Sequence, residues 1–298
     1  MSSEPIAYID RTRAYYLALG YDNPYRWAQF DDVPFTPPQA PLADLTLAIV
    51  TTAALFQPGK GDQGPGAAYN ADAKFYQVYE APLDPAPDLR ISHIAYDRDH
   101  TTAEDRASYF PLEVMQEAQQ SGRIGSLAEV FFGLPTNRSQ RVTMETDCPD
   151  LLQRLQHHAV DAVVLVPNCP VCHQSVALAA RHLEAAGIMT VIMGCARDIV
   201  EEAGVPRFVF SDLPLGNSAG CPHDQDSQRQ VMALALTALE EAAAPRHTVV
   251  SPLVWPGDPH WKESYSNPAR LSAEEITAKK AAFDAAKKTA RAKREGQG

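Results

Sequence analysis

The sequence predicts an α/β protein: a parallel sheet of the Rossmann or flavodoxin-like kind, wound in layers on both faces, with an irregular N-terminal arm and a C-terminal helix. Three observations predict it. From residue 149 onward, short apolar runs alternate with helix-like stretches, the pattern of strands joined by right-handed crossovers. Leu45 to Leu55 is a continuous apolar run with β-branched residues, as expected of a strand buried on both faces. One of the alternating runs, Ala162–Val166, leads through Pro167 and Asn168 into Cys169-Pro170-Val171-Cys172, where a helix-like stretch begins.

The elements follow in order. A short helix is expected over Ile9 to Leu19, ended at Gly20, then an extended arm with Tyr25, Trp27, Phe30 and Pro34 to Pro38. Gln57 to Gly66 is Gly-rich but lacks the spacing of a phosphate-binding P-loop, so a surface loop is expected. Ile91 to Tyr96 alternates like a half-buried strand, and Asp97 to Asp105 is a polar loop with His100. A helix from Pro111 ends near Ser121-Gly122. Asp150 to His158 reads as a helix with Leu151, Leu152 and Leu155 on one face. Then come a strand at Ala162–Val166, a helix from Pro170 to Ala186 ended by Gly187, and a strand from Ile188 to Met193. A helix over Arg197–Ala203, a strand over Arg207–Phe210 and a long helix from Asp226 to Ala243 complete the pattern. Pro245 to Pro268 is irregular. Ser272-Ala273-Glu274-Glu275 is a capping box opening an Ala/Lys-rich terminal helix, read as solvated. The chain divides into an α/β region with its arm (1–148), an α/β region carrying the cysteine pair (149–245) and a tail (246–298). Ligands of such sheets sit beyond the carboxyl ends of the strands. That directs attention to the loops after Val166, Met193 and Phe210.

Composition narrows the function classes. The 298 residues carry a formal net charge of −11, with 45% hydrophobic and 21% charged residues. The acidic balance argues against nucleic acid or an anionic membrane as partner. No apolar run approaches the roughly 20 residues that span a bilayer, and Met1-Ser2-Ser3-Glu4-Pro5 does not open a secretory signal. A cytoplasmic location is expected. Five cysteines, an odd and low number, do not make a disulfide framework.

The chemistry concentrates at Cys169. Pro170 suits the first helical turn, which places Cys169 beside a helix N-terminus, where free N–H groups and the helix dipole favour a thiolate. Cys169 and Cys172 are therefore candidate nucleophile and partner thiol, as in a redox dithiol. Cys169-Pro170-Val171-Cys172-His173 also matches a haem-attachment spacing, which the absent export signal and apolar flanks disfavour. Zinc held by Cys169, Cys172, Cys195 and Cys221, or His223, is a further reading; a merely buried Cys172 is the plainest one. His173 is a candidate proton carrier or a first-turn surface residue. Cys195 and Arg197 sit at the next strand-to-helix corner, Cys195 as a small residue packed beside the site and Arg197 either as the partner of a substrate carboxylate or as a surface arginine. Leu215 to Gln228 supplies Gly-flanked backbone, with Asn217 and His223, for a similar task. Asn168, Cys195, Arg197, Asn217 and His223 form the expected substrate-binding set.

The segment Val166-Pro167-Asn168-Cys169-Pro170-Val171-Cys172-His173-Gln174 resembles the active-site segment of the D-proline reductase selenoprotein subunits. More widely, the chain resembles the selenoprotein B family of glycine, sarcosine and betaine reductases. Supporting segments are Arg11 to Tyr16 with Leu19-Gly20-Tyr21, Asp31 to Phe35, Val50 to Leu55, Phe110-Pro111-Leu112 with Gly122 to Gly125, and Leu213 to Asn217 with Gln228. In the resembled family, selenocysteine stands at the position of Cys169. The resemblance implies reductive cleavage of a C–N or related bond in a small amino-acid-like substrate. Cys169 would be the nucleophile and Cys172 the resolving thiol, ending as a Cys169–Cys172 disulfide reset by an external dithiol. It implies no cofactor on this chain, a pyruvoyl group on a partner subunit, and assembly with itself or with that partner. A thiol of pKa about 8.5 is mostly protonated at neutral pH, whereas a selenol would be ionised, so its surroundings must do more. The expectation is a thiol-dependent reductase; a metal-binding protein and a non-catalytic binding subunit are the rivals.

Overall fold

The computed structural model describes residues 4–23, 25–91 and 93–295. After helix α1 (Tyr8–Ala18) come β1 (Thr46–Thr51), β2 (Ala54–Leu55), β3 (Tyr79–Pro82) and β4 (Leu89–Arg90). Helix α2 (Leu112–Gln120), β5 (Ser126–Leu127) and β6 (Val130–Gly133) follow, then α3 (Gln140–Val142) and a π-helical turn leading into α4 (Cys148–His157). The regular part is β7 (Ala162–Val166), α5 (Pro170–Ala185), β8 (Met189–Gly194), α6 (Arg197–Ala203), β9 (Arg207–Phe210), α7 (Gln225–Glu241) and β10 (His247–Val250). A short turn of helix, α8 (Trp261–Ser264), precedes α9 (Ala273–Glu295).

Eight strands form one sheet in the order β10-β9-β8-β7-β1-β6-β3, with β5 also against β1. All pairings are parallel except β3 with β6. The sequence-derived regions 1–148 and 149–245 thus share one sheet, because β1 lies between β6 and β7. The apolar run of β1 is buried on both faces, as its composition predicts. Leu47 and Ile49 face α2 and α7; Ala48 and Val50 face α4 and α5. These are the two layers of a doubly wound fold.

Three expectations need correction. Ile91 to Tyr96 is not a strand: only Leu89–Arg90 pairs, with Ala54–Leu55, and the alternation sits on a turn. The short strands β3, β5, β6 and β10 are not foreseen from the sequence, each spanning only two to four residues. The terminal helix α9 starts at the expected capping box, where the Ser272 and Glu275 side chains accept each other's backbone N–H. It is not simply solvated, however. Phe283 packs on Tyr16 and Tyr21, with ring centroids 5.2 and 5.4 Å apart.

The N-terminal arm is held along α5 by polar groups that α5 buries. Gln174 Oε1 accepts the Ala28 N–H at 2.7 Å, and the Arg181 Nη1 donates to Asp32 O at 2.6 Å. Glu184 accepts the Thr36 N–H at 2.5 Å and pairs with Arg207 at 2.8 Å, both side chains fully buried. Burial of these side chains is tolerable because each has hydrogen-bond partners, with Arg207 Nε the one atom among them left without one. The arm thereby brings Tyr25 and Trp27 to the start of α5. No helix among the described residues is long and apolar enough to cross a membrane.

Candidate active site

Strand order reverses between β1 and β7: the chain leaves β1 toward β6 on one side and resumes from β7 on the other. The carboxyl ends of these two neighbours mark the switch point where open α/β sheets bind ligands. Asn168, just past β7, donates its backbone N–H and its Nδ2 to Thr52 Oγ1 just past β1, both at 3.1 Å. Asn168 is thus fully buried in tying the two strand ends together.

Cys169 is the N-cap of α5, in extended backbone (φ −142°, ψ 169°), with Pro170 in the first turn as its sequence position predicts. Its Sγ accepts the Cys172 N–H at 3.3 Å, so an orphan donor of the helix terminus does point at sulfur. The two sulfurs are 2.6 Å apart. Cys172 Sγ lies 3.3 Å from Thr136 Oγ1, which in turn lies 3.1 Å from His93 Nε2. Burial pushes the Cys172 thiol up, but bonding from Cys169, His93 and Thr136 overcomes it and holds Cys172 well below the usual thiol range. Burial and the bond to Cys172 hold Cys169 well above it. The pair therefore shares one proton more readily than it releases two.

Cys169 forms part of the wall of a cavity of about 300 Å³, whereas Cys172, fully buried, does not. The other walls come from the arm (Tyr25, Trp27), α1 (Tyr15, Tyr16), loops beyond β2, β4 and β6 (Lys74, His93, Thr136, Arg138) and α9 (Phe283, Lys287). Asp97 Oδ1, His100 and Ser264 Oγ form a hydrogen-bonded chain, 2.8 and 3.0 Å, that moors the segment carrying Tyr265 beside it.

Of the expected site residues, the structure brings Cys169 and Cys172 together and places only Cys169 at the cavity. His173 is neither surface nor proton carrier at the sulfur. Fully buried, it stands 2.8 Å from Cys169 O through Nδ1 and accepts the Cys195 N–H at Nε2, 2.9 Å, binding two strand-end loops together. Burial lowers it to about 4, so it stays neutral. Cys195 packs against Ser218 and is pushed by burial to about 12. Arg197 pairs with Glu201 at 3.0 Å, Asn217 is buried between Pro214 O and the Thr101 hydroxyl, and His223 is exposed with its N–H on Asp105. None of Asn168, Cys195, Arg197, Asn217 and His223 lines the cavity. The loops after β8 and β9 brace the cysteine corner; those after β1 and β6 complete it. His93, Thr136, Lys74 and Arg138 are not foreseen from the sequence. The available signal was the apolar run Val130–Gly133 ending just before Thr136-Asn137-Arg138.

Among the described residues, the group able to share a metal ion is His93, Cys169 and Cys172, with ligand atoms within 4.8 Å of one another. Cys195, Cys221 and His223, expected to join such a set, are not in it.

The profile of the glycine/sarcosine/betaine reductase selenoprotein B family matches residues 18–168, just over half of the chain. Among curated proteins, the chain is similar to D-proline reductase subunit gamma of Acetoanaerobium sticklandii, 28% identical, covering 70% of this chain and 86% of that one. It is similar to glycine reductase complex component B subunit gamma of Symbiobacterium thermophilum, 27% identical over 74% of this chain and 52% of that one. The sarcosine reductase complex component B subunit beta of Peptoclostridium acidaminophilum is 25% identical over 74% and 51%. The chain thus spans most of the first relative and about half the length of the other two. No solved structure matches it.

Proposed function

The chain belongs to the glycine/sarcosine/betaine reductase selenoprotein B family, and from that premise we propose that it is the thiol-bearing subunit of a reductase that cleaves a C–N or related bond in a small amino-acid-like substrate. The observation that carries this reading is the division of labour between the two sulfurs. One faces the cavity; the other stands behind it, 2.6 Å away, among donors that stabilise negative charge.

In the proposed sequence, Cys169 passes its proton to Cys172 and attacks the substrate carbon as thiolate. The C–N bond breaks, the amine leaves with the bonding pair, and an S–C bond forms. Cys172 then attacks Cys169 sulfur as its own proton goes to the departing carbon. The S–C bond is exchanged for an S–S bond and a C–H bond. Two thiols are oxidised, the carbon is reduced, and a dithiol reductant restores the pair. A carbonyl group supplied by a partner subunit would make a poor amine leaving group a better one, and a hetero-oligomer with that partner is part of this reading.

The test is mass spectrometry of protein quenched during turnover of candidate amino acids with a dithiol. A Cys169–Cys172 disulfide and loss of activity in Cys169→Ser are expected. Full activity in Cys169→Ser overturns the reading. The His93–Cys169–Cys172 group favours a metal site as the second reading. Two sulfurs on one tetrahedral zinc stand roughly 3.8 Å apart, given a Zn–S length of about 2.3 Å, so the 2.6 Å pair would have to open to take one. Stoichiometric zinc in the purified protein would favour that reading.

A further inference from the structure

We infer that the cavity takes a carboxylate carried on an aromatic body, an aryl-bearing acid or amino acid. This inference rests on the cavity's being the substrate site proposed above. The rings of Tyr15, Tyr16, Tyr25, Trp27, Tyr265 and Phe283 line it, together with those of Tyr69 and Tyr76. Tyr25 and Trp27 already meet edge to face at 4.8 Å, the arrangement into which a further flat ring fits with favourable quadrupole geometry. About 300 Å³ is at the lower end of sites for drug-sized ligands and exceeds what a two-carbon amino acid fills.

The charges select the other end of the ligand. On a chain of net charge −11, the cavity lining includes Lys74, Arg138 and Lys287 and no Asp or Glu among the described residues. Arg138 lies with its guanidinium 4.7 Å from the Phe283 centroid and 5.2 Å from that of Tyr16. Its planar fork suits a carboxylate better than any other side chain would. Aromatic walls also attract bare cations. Here, however, Arg138 already covers the faces of Tyr16 and Phe283, and Lys74 Nζ sits 5.5 Å over Tyr76. A quaternary ammonium would enter among like charges, and a small aliphatic acid would leave the rings uncovered.

Isothermal titration calorimetry on the full-length reduced protein tests this with four probes: indole-3-acetate, acetate, tryptamine and betaine. Indole-3-acetate has no amine to cleave, so its binding is independent of the reductase reaction. It is expected to bind at least tenfold more tightly than each of the others, equally well to wild type and Cys169→Ser. Arg138→Met should weaken it at least tenfold and leave tryptamine unweakened. Acetate, tryptamine or betaine binding as tightly as indole-3-acetate overturns the inference, as does an Arg138→Met variant with unchanged affinity. A protein that cleaves amines yet prefers betaine or acetate loses this inference and keeps the reductase reading. One that binds indole-3-acetate but is fully active without Cys169 does the reverse.

Discussion

Thr136→Val removes one hydroxyl and almost no volume, and it tests what holds charge on Cys172. The Thr136 Oγ1 is 3.3 Å from Cys172 Sγ and 3.1 Å from His93 Nε2, and Thr136 itself is buried. A hydrogen bond to a charged group contributes about 1.5–3 kcal/mol. One pKa unit corresponds to about 1.36 kcal/mol. Loss of the hydroxyl should therefore raise the titration of the pair by about one to two units. The sign follows because the hydroxyl stabilises the thiolate form, so removing it favours the protonated one. The assay is thiolate ultraviolet absorbance against pH on reduced protein, with Thr136→Ser as the control that keeps the donor. His93 Nε2 loses its Thr136 partner too and keeps only Cys172, while His93 Nδ1 has no partner among the described residues, so some stability should be lost as well. A folded Thr136→Val protein whose titration coincides with wild type would refute the idea that this donor sustains the charge.

Gly194, at the end of β8, has no room for a methyl group: a Cβ there would meet His173 Cδ2 and Nε2 at 2.9 Å and Phe208 at 3.3 Å. Gly194→Ala should cost about 1–3 kcal/mol in denaturant unfolding and slow alkylation or turnover at Cys169, since His173 holds the Cys169 carbonyl; unchanged values in both would count against the tie. Arg207→Leu strands the Glu184 carboxylate in the core and should cost about 3–5 kcal/mol, while Glu184→Gln with Arg207→Leu should recover part of it; a cost under about 1 kcal/mol would mean the pair does not anchor the arm. Burial raises Asp147 to about 6, against an Asn137 amide that favours its charge. The native state then holds its proton more tightly than the unfolded chain, so stability falls as pH rises from about 4 to 6. Asp147→Asn should flatten that slope, by about 1–2 kcal/mol after allowance for partial solvation, read from unfolding midpoints across that range.

The signals carried by the amino-acid sequence are local. The β1 and β7 runs, the start of α5 at Pro170, the stop at Gly187 and the Cys169–Cys172 spacing all follow from neighbours within one or two turns, where periodicity and capping act. Those patterns were enough for the fold class and for the cysteine corner, and the surrounding letters were enough for the family. Tertiary structure decided which side chains surround the sulfurs. His93, Thr136, Lys74 and Arg138 lie far from Cys169 along the chain and reach it because β1 pairs with β7 on one edge and β6 on the other. Strand order is a long-range choice with no local signature. The expected residues after β8 and β9 were on the correct end of the sheet, but beyond β7, away from the switch point. The terminal helix shows the same divide: its cap is written in four adjacent residues, while the seat of Phe283 on Tyr16 depends on where a helix more than 250 residues earlier, α1, has been laid down.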